Sequence, residues 1–243
     1  MPISFVAAAL AALMLLLAGP GVRLGLWSFR TGFDLLRWGA YLGLAAIAIA
    51  LVQLLVPRWR GQRPWMLGLA LMLGALAAGV PWYWRRLASR VPPIHDISTD
   101  TADPPVFVAV LPLRADAPNP AAYGGPEVAA QQASAYPDIQ PLTLPAIPPG
   151  AAFAHARDAA RDAGWSIVAA DSAAGRVEAT ATTGWFGFKD DVVVRIRPEG
   201  QGSRVDVRSV SRVGGSDVGT NARRIRAYLD RLRPGEETGD ARR

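Results

Sequence analysis

The sequence predicts a membrane-anchored α+β protein, in which three transmembrane helices precede a small domain with a four-stranded antiparallel sheet and two flanking helices. Three apolar runs, at residues 3–22, 38–56 and 65–84, each reach the roughly 18 residues needed to cross a bilayer and contain no charged residue. Thirteen of the 20 prolines follow within residues 92–149. Beyond residue 150, helical and strand patterns succeed one another in the order α-β-β-β-β-α.

Charge is divided unevenly between these parts. Residues 1–90 hold nine arginines and one aspartate, a net charge of +8, whereas the remainder carries a net charge of −2. A basic excess confined to the flanks of apolar runs is typical of membrane orientation and of contact with anionic lipid. The net charge of +6 is therefore no argument for nucleic acid as a partner.

Aromatic residues support the three membrane spans, since Trp38, Trp65 and Trp84 stand at run ends, where amphipathic rings anchor at the headgroups. We expect the first run to be retained, because no Lys or Arg precedes it and no small-x-small cleavage pattern follows it. The flanking arginines favour a multi-pass protein of the bacterial inner membrane with a cytoplasmic C-terminal domain. Six would then face the cytoplasm (Arg23, Arg30, Arg37, Arg85, Arg86, Arg90) against three outside (Arg58, Arg60, Arg63).

An amphipathic segment, residues 23–37, connects the first two spans. Its arginines recur every seven residues, and apolar residues at spacings of three and four would occupy the opposite side of a helix. This pattern predicts a short helix lying in the membrane interface, with an ordinary polar loop as the alternative.

A proline-rich segment, residues 91–150, leads into the folded core. Prolines at this density prevent long helices, so we predict an extended arm that packs along the domain behind it. Within it, residues 106–111 form a β-prone apolar run, and residues 127–135 can form a short helix opened by Pro126.

The α+β core is predicted for residues 151–233. A helix at residues 151–163 ends at Gly164, strands follow at residues 165–169, 176–182, 191–197 and 203–210, and a last helix begins at Ser216 or Asp217 and ends near Arg233. Turn residues between neighbouring strands indicate an antiparallel meander. Residues 234–243 are predicted to be a flexible tail.

The strands alternate between an apolar face and a polar face that carries five arginines and two acids. Four of the arginines, Arg195, Arg197, Arg204 and Arg208, are candidates for binding anionic lipid headgroups or an acidic protein, although an ordinary solvated face remains the alternative. Trp185, Phe186 and Phe188 precede the third strand. These aromatic side chains either fill the core or form an exposed tip that binds lipid or a partner.

Several short motifs resemble one family, the bacterial and plastid family known as domain of unknown function 1499. The motifs are His95-Asp96-Ile97-Ser98-Thr99-Asp100, Pro104-Pro105-x-Phe107, Tyr136-Pro137-Asp138-Ile139, Gly164-Trp165, Phe186-Gly187-Phe188-x-Asp190-Asp191-Val192-Val193 and Asp217-Val218-Gly219-x-Asn221-Ala222-x-Arg224-Ile225. The resemblance covers about residues 92–232 and implies a small α+β domain, often attached to a membrane, with no catalytic residue to transfer. The three preceding spans are similar to those of proteobacterial members.

Residue types limit the chemistry of the chain. It has no cysteine and two histidines, so thiolate catalysis and histidine-rich metal sites are excluded, and we expect neither metal nor cofactor. His95, Asp96, Ser98, Asp100 and Asp103 could supply a base, a nucleophile and acids, but no nucleophile-elbow motif accompanies them. Turn chemistry is the simpler explanation.

We therefore predict a non-enzymatic binding or scaffold module at the bilayer surface. The alternative is a small envelope enzyme that uses residues 95–103. Convergence of those side chains with His155 in one cleft would favour the enzyme, and scattered side chains would favour the binding module.

Overall fold

The computed structural model describes residues 1–59 and 63–233, which form two compact units. The helical unit comprises Met1–Arg90 and the loop Thr183–Gly187, and the sheet unit comprises Val91–Thr182 and the chain from Phe188 onward. The flexible tail predicted for residues 234–243 lies outside the described residues, as does Arg60.

Three helices dominate the helical unit: α1 (Ile3–Arg23), α2 (Phe29–Leu55) and α3 (Trp65–Ala88), with one turn of 3-10 helix at Pro57–Trp59. Each is long and apolar enough to cross a membrane, with mean hydropathies of 2.2, 1.9 and 1.6 in their most apolar windows. The prediction of three long apolar helices is confirmed.

Small residues bring these helices close together. Ala8 of α1, Ala46 of α2 and Ala70 of α3 belong to one buried cluster. A β-carbon added to Gly43 would lie only 2.8 Å from the carbonyl oxygen of Gly74, so the two helix backbones are nearly in contact there. Packing through small residues is the mode available to helices in lipid, where apolar burial provides no driving force.

The predicted interfacial segment is not a separate element, because α2 begins at Phe29 and includes its second half. Ser28 caps this helix by accepting a hydrogen bond from the amide of Thr31 at 3.2 Å. No helix-breaking proline interrupts the chain between Phe29 and Trp38, so the helix continues for 27 residues, a length of about 40 Å.

In its described part, up to residue 233, the sheet unit contains six strands and three longer helices. The strands are β1 (Asp96–Ser98), β2 (Leu142–Leu144), β3 (Ser166–Asp171), β4 (Arg176–Thr182), β5 (Lys189–Glu199) and β6 (Gly202–Ser211). The helices are α4 (Gly125–Ala135), α5 (Pro149–Asp162) and α6 (Thr220–Leu232), and a 3-10 turn occupies Leu111–Arg114.

The sheet is antiparallel with the order β1-β6-β5-β4-β3, and β2 also pairs with β6. The antiparallel meander of β3 to β6 is confirmed, but the prediction of four strands is wrong. The two additional strands, β1 and β2, lie in the proline-rich segment and are three residues long. Strands this short show no readable alternation, and they exist because β6 offers them hydrogen-bonding partners.

Helices α5 and α6 cover the apolar face of the sheet. Val177, Val194 and Val205 share a buried cluster with side chains of both helices. Trp165 stacks on Tyr228 with ring centroids 4.7 Å apart, and the Tyr228 hydroxyl donates to the carbonyl of Ala156 at 2.7 Å. The predicted assignment of residues to the apolar face is therefore confirmed.

Helix α6 begins at Thr220, later than the sequence pattern indicates. Asp217 still satisfies its first amides, because its carboxylate accepts from Gly219 at 2.8 Å and from Asn221 at 2.7 Å. Burial raises the pKa of Asp217, and the two amide hydrogen bonds oppose that shift. The difference arises because Gly219 has a positive φ of 72°, which a helix cannot include.

We predict that residues 91–233 fold without the helical unit, because the core cluster draws all its members from the sheet unit. The expected result is a monomer-sized species with one cooperative urea transition. A shorter chain of residues 124–233 is the control and should aggregate, since it lacks the arm described below. Aggregation of residues 91–233 unless α1 to α3 are present would contradict the prediction.

Candidate functional site

The polar face of the sheet is covered by residues 99–123 of the proline-rich segment, here called the arm. Phe107 and Val110 of the arm pack against Val193 of β5 and Val210 of β6 in a second buried cluster. Glu178 of β4 and Asp206 of β6 are fully buried as a result. The polar face is therefore not the ordinary solvated face that the sequence analysis gave as the alternative to a binding surface.

Glu178 holds the centre of the arm. Its carboxylate accepts hydrogen bonds from three consecutive backbone amides, those of Val108 (3.0 Å), Ala109 (3.0 Å) and Val110 (2.9 Å), and from Arg176 Nε (3.0 Å). The β-prone run at residues 106–111 does not form a strand, because these amides bind a side chain instead of a neighbouring strand. The three amides resemble an anion-binding nest, in which the bound anion is the carboxylate of Glu178.

Three arginines and three aspartates form a second attachment of the arm, here called the arginine–aspartate cluster. Buried Asp206 accepts from Arg195 Nη2, Arg197 Nη2 and Arg204 Nε, each at 3.0 Å. From the arm, Asp103 contacts Arg195 and Arg197, and Asp100 contacts Arg204 at 2.8 Å. Arg195, followed by Arg197, lowers the pKa of Asp103. Positive and negative groups are equal in number, so the cluster is close to neutral.

Arg208, the fourth candidate arginine, lies apart from that cluster and is only 2 % exposed. Its guanidinium makes a bidentate pair with Asp96 at 2.9 and 2.7 Å and donates to the carbonyls of Pro105 and Ala121. The rings of Phe107 and Tyr123 lie 5.1 and 5.4 Å from its Cζ. Arg208 therefore fastens both ends of the arm to β6 and presents no exposed charge.

A cavity of about 460 Å³ opens where the arm folds over Arg208. We call it the arm pocket. Its walls are mostly apolar, and the residues around it include Asp103, Tyr123 and Arg208. The Tyr123 hydroxyl is buried and has no hydrogen-bond partner among the described residues. Burial, and secondarily the charge of Asp96, raises the pKa of Tyr123 to about 12, so the hydroxyl stays protonated at neutral pH.

The sequence of the chain was compared with models of known protein families. A model for proteins of unknown function, DUF1499, matches residues 96–232, more than half of the chain. The chain belongs to the DUF1499 family. This confirms the resemblance found in the sequence motifs, and the three apolar helices precede the match. A comparison with curated proteins finds no match.

The DUF1499 match includes the arm as well as the sheet, because it begins at Asp96 and ends at Leu232. The motif residues meet although they are far apart in sequence. Asp190 accepts from Arg224 at 2.5 Å, and Asn221 donates to the carbonyl of His95 at 3.0 Å. The DUF1499 motifs therefore include residues that join the two ends of the domain.

Adjacent Asp190 and Asp191 of the DUF1499 motif face opposite sides of the sheet, as strand geometry requires. Asp191 accepts hydrogen bonds on the polar side from Thr180 at 2.8 Å and from Arg212 at 2.8 and 2.9 Å. Both carboxylates are buried and paired with arginines. They cannot act together on one substrate bond.

The structure does not bring the candidate catalytic side chains of the DUF1499 domain together. Asp96 is paired with Arg208, the Ser98 hydroxyl donates to the carbonyl of Asp100 at 2.8 Å, and Asp103 contacts two arginines. His155 is exposed on α5, which covers the other face of the sheet. Within the described residues, no group of three or more metal-binding side chains was found.

The three candidate aromatic residues of the DUF1499 domain divide between the two units. Trp185 and Phe186 belong to the loop grouped with the helical unit, and Phe188 belongs to the sheet unit. In the helical unit, the Phe186 ring lies 5.3 Å from that of Phe33, and a β-carbon on Gly19 would lie 2.7 Å from the Trp185 ring. Binding by these residues remains a prediction.

Sequence reasoning missed Glu178 and Asp206 as the organising groups of the DUF1499 polar face. A signal was present, because acids alternate with arginines at same-face spacing in Arg176-x-Glu178 and Arg204-x-Asp206-x-Arg208. Such spacing places opposite charges side by side within one strand. It predicts that each of these acids pairs with an arginine of its own strand, as Glu178 does with Arg176 and Asp206 with Arg204.

Proposed function

We propose that this protein is a non-enzymatic binding module held at the surface of the bacterial inner membrane. One observation carries the proposal: the candidate catalytic acids and the Ser98 hydroxyl in residues 95–103 are all engaged in contacts that hold β1 and the arm in place. Asp96, Ser98, Asp100 and Asp103 all have partners inside the domain. A domain that uses these groups structurally, and leaves a pocket beside them, is suited to binding.

The three apolar helices support the bilayer as the location. Seven residues connect Ala88, the last of α3, to Asp96, the first of β1. An extended chain of that length spans at most about 25 Å. A membrane-inserted α3 would therefore hold the domain within reach of the lipid headgroups.

The envelope-enzyme alternative requires a nucleophile and a base in hydrogen-bond contact. Ser98 donates to a backbone carbonyl, and His155 lies on α5 on the other face of the sheet. Neither residue is positioned to activate the other. The geometry thus gives no support to a Ser98 nucleophile activated by His155.

Incubation of the full chain in nanodiscs made from a bacterial lipid extract tests the proposal. We expect mass spectrometry to find the lipid species unchanged after incubation, with the same result for Ser98→Ala. Lysolipid or free fatty acid that forms with the parent and not with Ser98→Ala would contradict the binding module and support the enzyme.

Anionic headgroups are the proposed partner of the arginine–aspartate cluster. Its Arg197 is 40 % exposed and its Asp103 is 66 % exposed, so their pair contributes little to stability and can exchange for a headgroup phosphate. Arg208 is too deeply buried to take part. The proposed contact therefore involves Arg195, Arg197 and Arg204 after Asp103 is displaced, and a carboxylate of an acidic protein is the other group that could take the place of Asp103.

We predict that Asp103→Asn strengthens binding of residues 91–233 to vesicles containing phosphatidylglycerol. Removing the exposed carboxylate leaves Arg195 and Arg197 without their ion pairs to Asp103 and raises the net charge by one unit. One unit of charge near an anionic surface is worth about 1 kcal/mol, or about fivefold in affinity. Cosedimentation at low salt measures it. Asp230→Asn on α6 is the matched control, since it changes the net charge equally at another exposed ion pair. Equal gains at both positions, or no binding by the parent, would reject the headgroup contact.

A further inference from the structure

Two open cavities adjoin at the end of the helical unit where α2 finishes and α3 begins. Their volumes are about 450 and 540 Å³, within the range of roughly 300–1,000 Å³ that is usual for small-molecule sites. Three lining residues, Ile3, Gln53 and Trp59, belong to both cavities, so the two form one continuous groove. We call it the helix-end groove. All its lining residues belong to the helical unit, whereas the arginine–aspartate cluster belongs to the sheet unit.

One half of the helix-end groove is aliphatic. Beyond the shared residues, it is lined by Ala48, Ile49 and Val52 of α2, which together with Gln53 extend about 8 Å along the helix. Val52 is 45 % exposed, and Ala48 is exposed too. Since α1 and α2 are apolar enough to cross a membrane, this half would open onto hydrocarbon in a bilayer. An acyl chain is therefore the occupant whose chemistry matches it.

The other half of the groove carries positive charge without a counter-charge. Arg63 lines it, is exposed, and makes no ion pair or hydrogen bond with a described residue. Arg58 lies nearby, with its guanidinium carbon 5.6 Å from the centre of the Trp59 ring. The single acid in residues 1–90, Asp34, has an arginine partner of its own near the start of α2, about 30 Å along that helix from the groove. Charge complementarity therefore selects an anionic group for this half.

Gln53 lies where the two halves meet. A polar side chain on an apolar helix is costly in lipid unless it is hydrogen-bonded. The hydroxyl of buried Ser4 donates to Oε1 of Gln53 at 2.5 Å, which satisfies the oxygen. The Nε2 atom of Gln53 makes no hydrogen bond with a described residue and is accessible, so it can donate to an oxygen of a bound ligand.

We infer that the helix-end groove binds an anionic phospholipid of the bilayer. One acyl chain lies along the aliphatic residues of α2, the glycerol esters lie beside Gln53, and the phosphate pairs with Arg63. A zwitterionic lipid matches the aliphatic half equally well, but Arg58 and Arg63 repel the cationic group of its head. The inference rests on the membrane location in the proposed function and goes beyond it, because it assigns a site to the helical unit.

Photocrosslinking of the full chain in phosphatidylcholine nanodiscs tests the inference. Each sample contains a trace of one probe, phosphatidylglycerol or phosphatidylcholine with a diazirine on an acyl chain, and mass spectrometry assigns the labels to residues. The readout is labelling of residues 48–59 divided by labelling of residues 10–17 of α1, which include exposed apolar side chains outside the groove. We expect this ratio to be at least about fivefold higher with phosphatidylglycerol, the factor for one arginine beside an anionic headgroup.

Two pairs of variants make the test specific. Arg63→Gln should remove most of the preference for phosphatidylglycerol, whereas Arg85→Gln, which removes an exposed arginine at the other end of α3, should keep it. Ala48→Trp fills the aliphatic half and should also remove the preference, whereas Ala75→Trp, on an exposed position of α3, should not. Arg63→Gln changes an exposed residue without a described partner, so it should fold like the parent even if Ala48→Trp does not.

Equal ratios for the two probes in the parent would overturn the inference while leaving the membrane anchor in place. A preference that survives Arg63→Gln, or that Arg85→Gln removes as well, would overturn it too. Labels on residues 10–17 without any on residues 48–59 would mean that another occupant, such as a second copy of the chain, covers the groove. Absence of labels from α1 to α3 altogether would instead reject the membrane location, so the two failures are distinguishable.

Discussion

Replacing Glu178 with alanine should lower the free energy of unfolding of residues 91–233 by at least about 3 kcal/mol, because each buried donor left without a partner costs about 1–3 kcal/mol. Three backbone amides and Arg176 Nε would lose their common acceptor. Glu178→Gln should cost less, since its amide oxygen can still accept from part of the set. Urea denaturation measures both effects.

Glu127→Gln, on an exposed position of α4, is the control and should change stability by less than about 0.5 kcal/mol. Hydrogen exchange provides a local readout. The amides of Val108 to Val110 should be protected in the parent and exchange rapidly in Glu178→Ala. Protected amides in that variant would show that the arm is held by other contacts and that our account of Glu178 is wrong.

Breaking the buried pair between Asp96 and Arg208 should be equally severe. Asp96→Asn leaves a guanidinium buried without its counter-charge, and removing one partner of a buried pair costs about 3–5 kcal/mol. Arg208→Met should be comparably destabilising, because Asp96 then remains as the uncompensated charge. The double variant should be far less destabilised than the sum of the two, since neither charge remains.

The exposed pair of Arg161 and Asp158 on α5 is the matched control for this cycle. Its coupling should be no more than about 0.5 kcal/mol, because solvent screens an exposed pair. Additive effects of Asp96→Asn and Arg208→Met would mean that the two groups contribute independently, contrary to the geometry.

Local patterns predicted the longer elements well, and tertiary contacts account for what they missed. Helix α5 and strands β4 to β6 carry several turns or alternations of apolar residues, so their positions follow from the sequence alone. Strands β1 and β2 have three residues each and depend on β6. No propensity within three residues can indicate pairing with a strand that begins 58 positions later, as β6 does after β2.

The candidate site was only partly predictable for the same reason. Arginines on β5 and β6 were found from strand alternation, but their charge balance was not. The compensating Asp96, Asp100 and Asp103 lie about 100 positions earlier, in a segment without periodic structure. Likewise, the arm pocket arises from the path of irregular backbone, which no alternation or helical period specifies.

The short strands of the proline-rich segment, β1 and β2, also cover the outer edge of strand β6. β6 has β5 on one side, and on its outer side β2 pairs with residues 203–205 and β1 pairs with residues 208–210. Thr99 fills the interval by exchanging hydrogen bonds with the backbone of Val207 at 2.9 Å. A ten-residue strand would otherwise present an open ladder of amides and carbonyls, a template for aggregation between copies. Since residues 96–144 leave the ribosome before β6, β1 and β2 are already synthesised when β6 appears, and proteolytic loss of these two strands would expose the edge of β6 and favour aggregation.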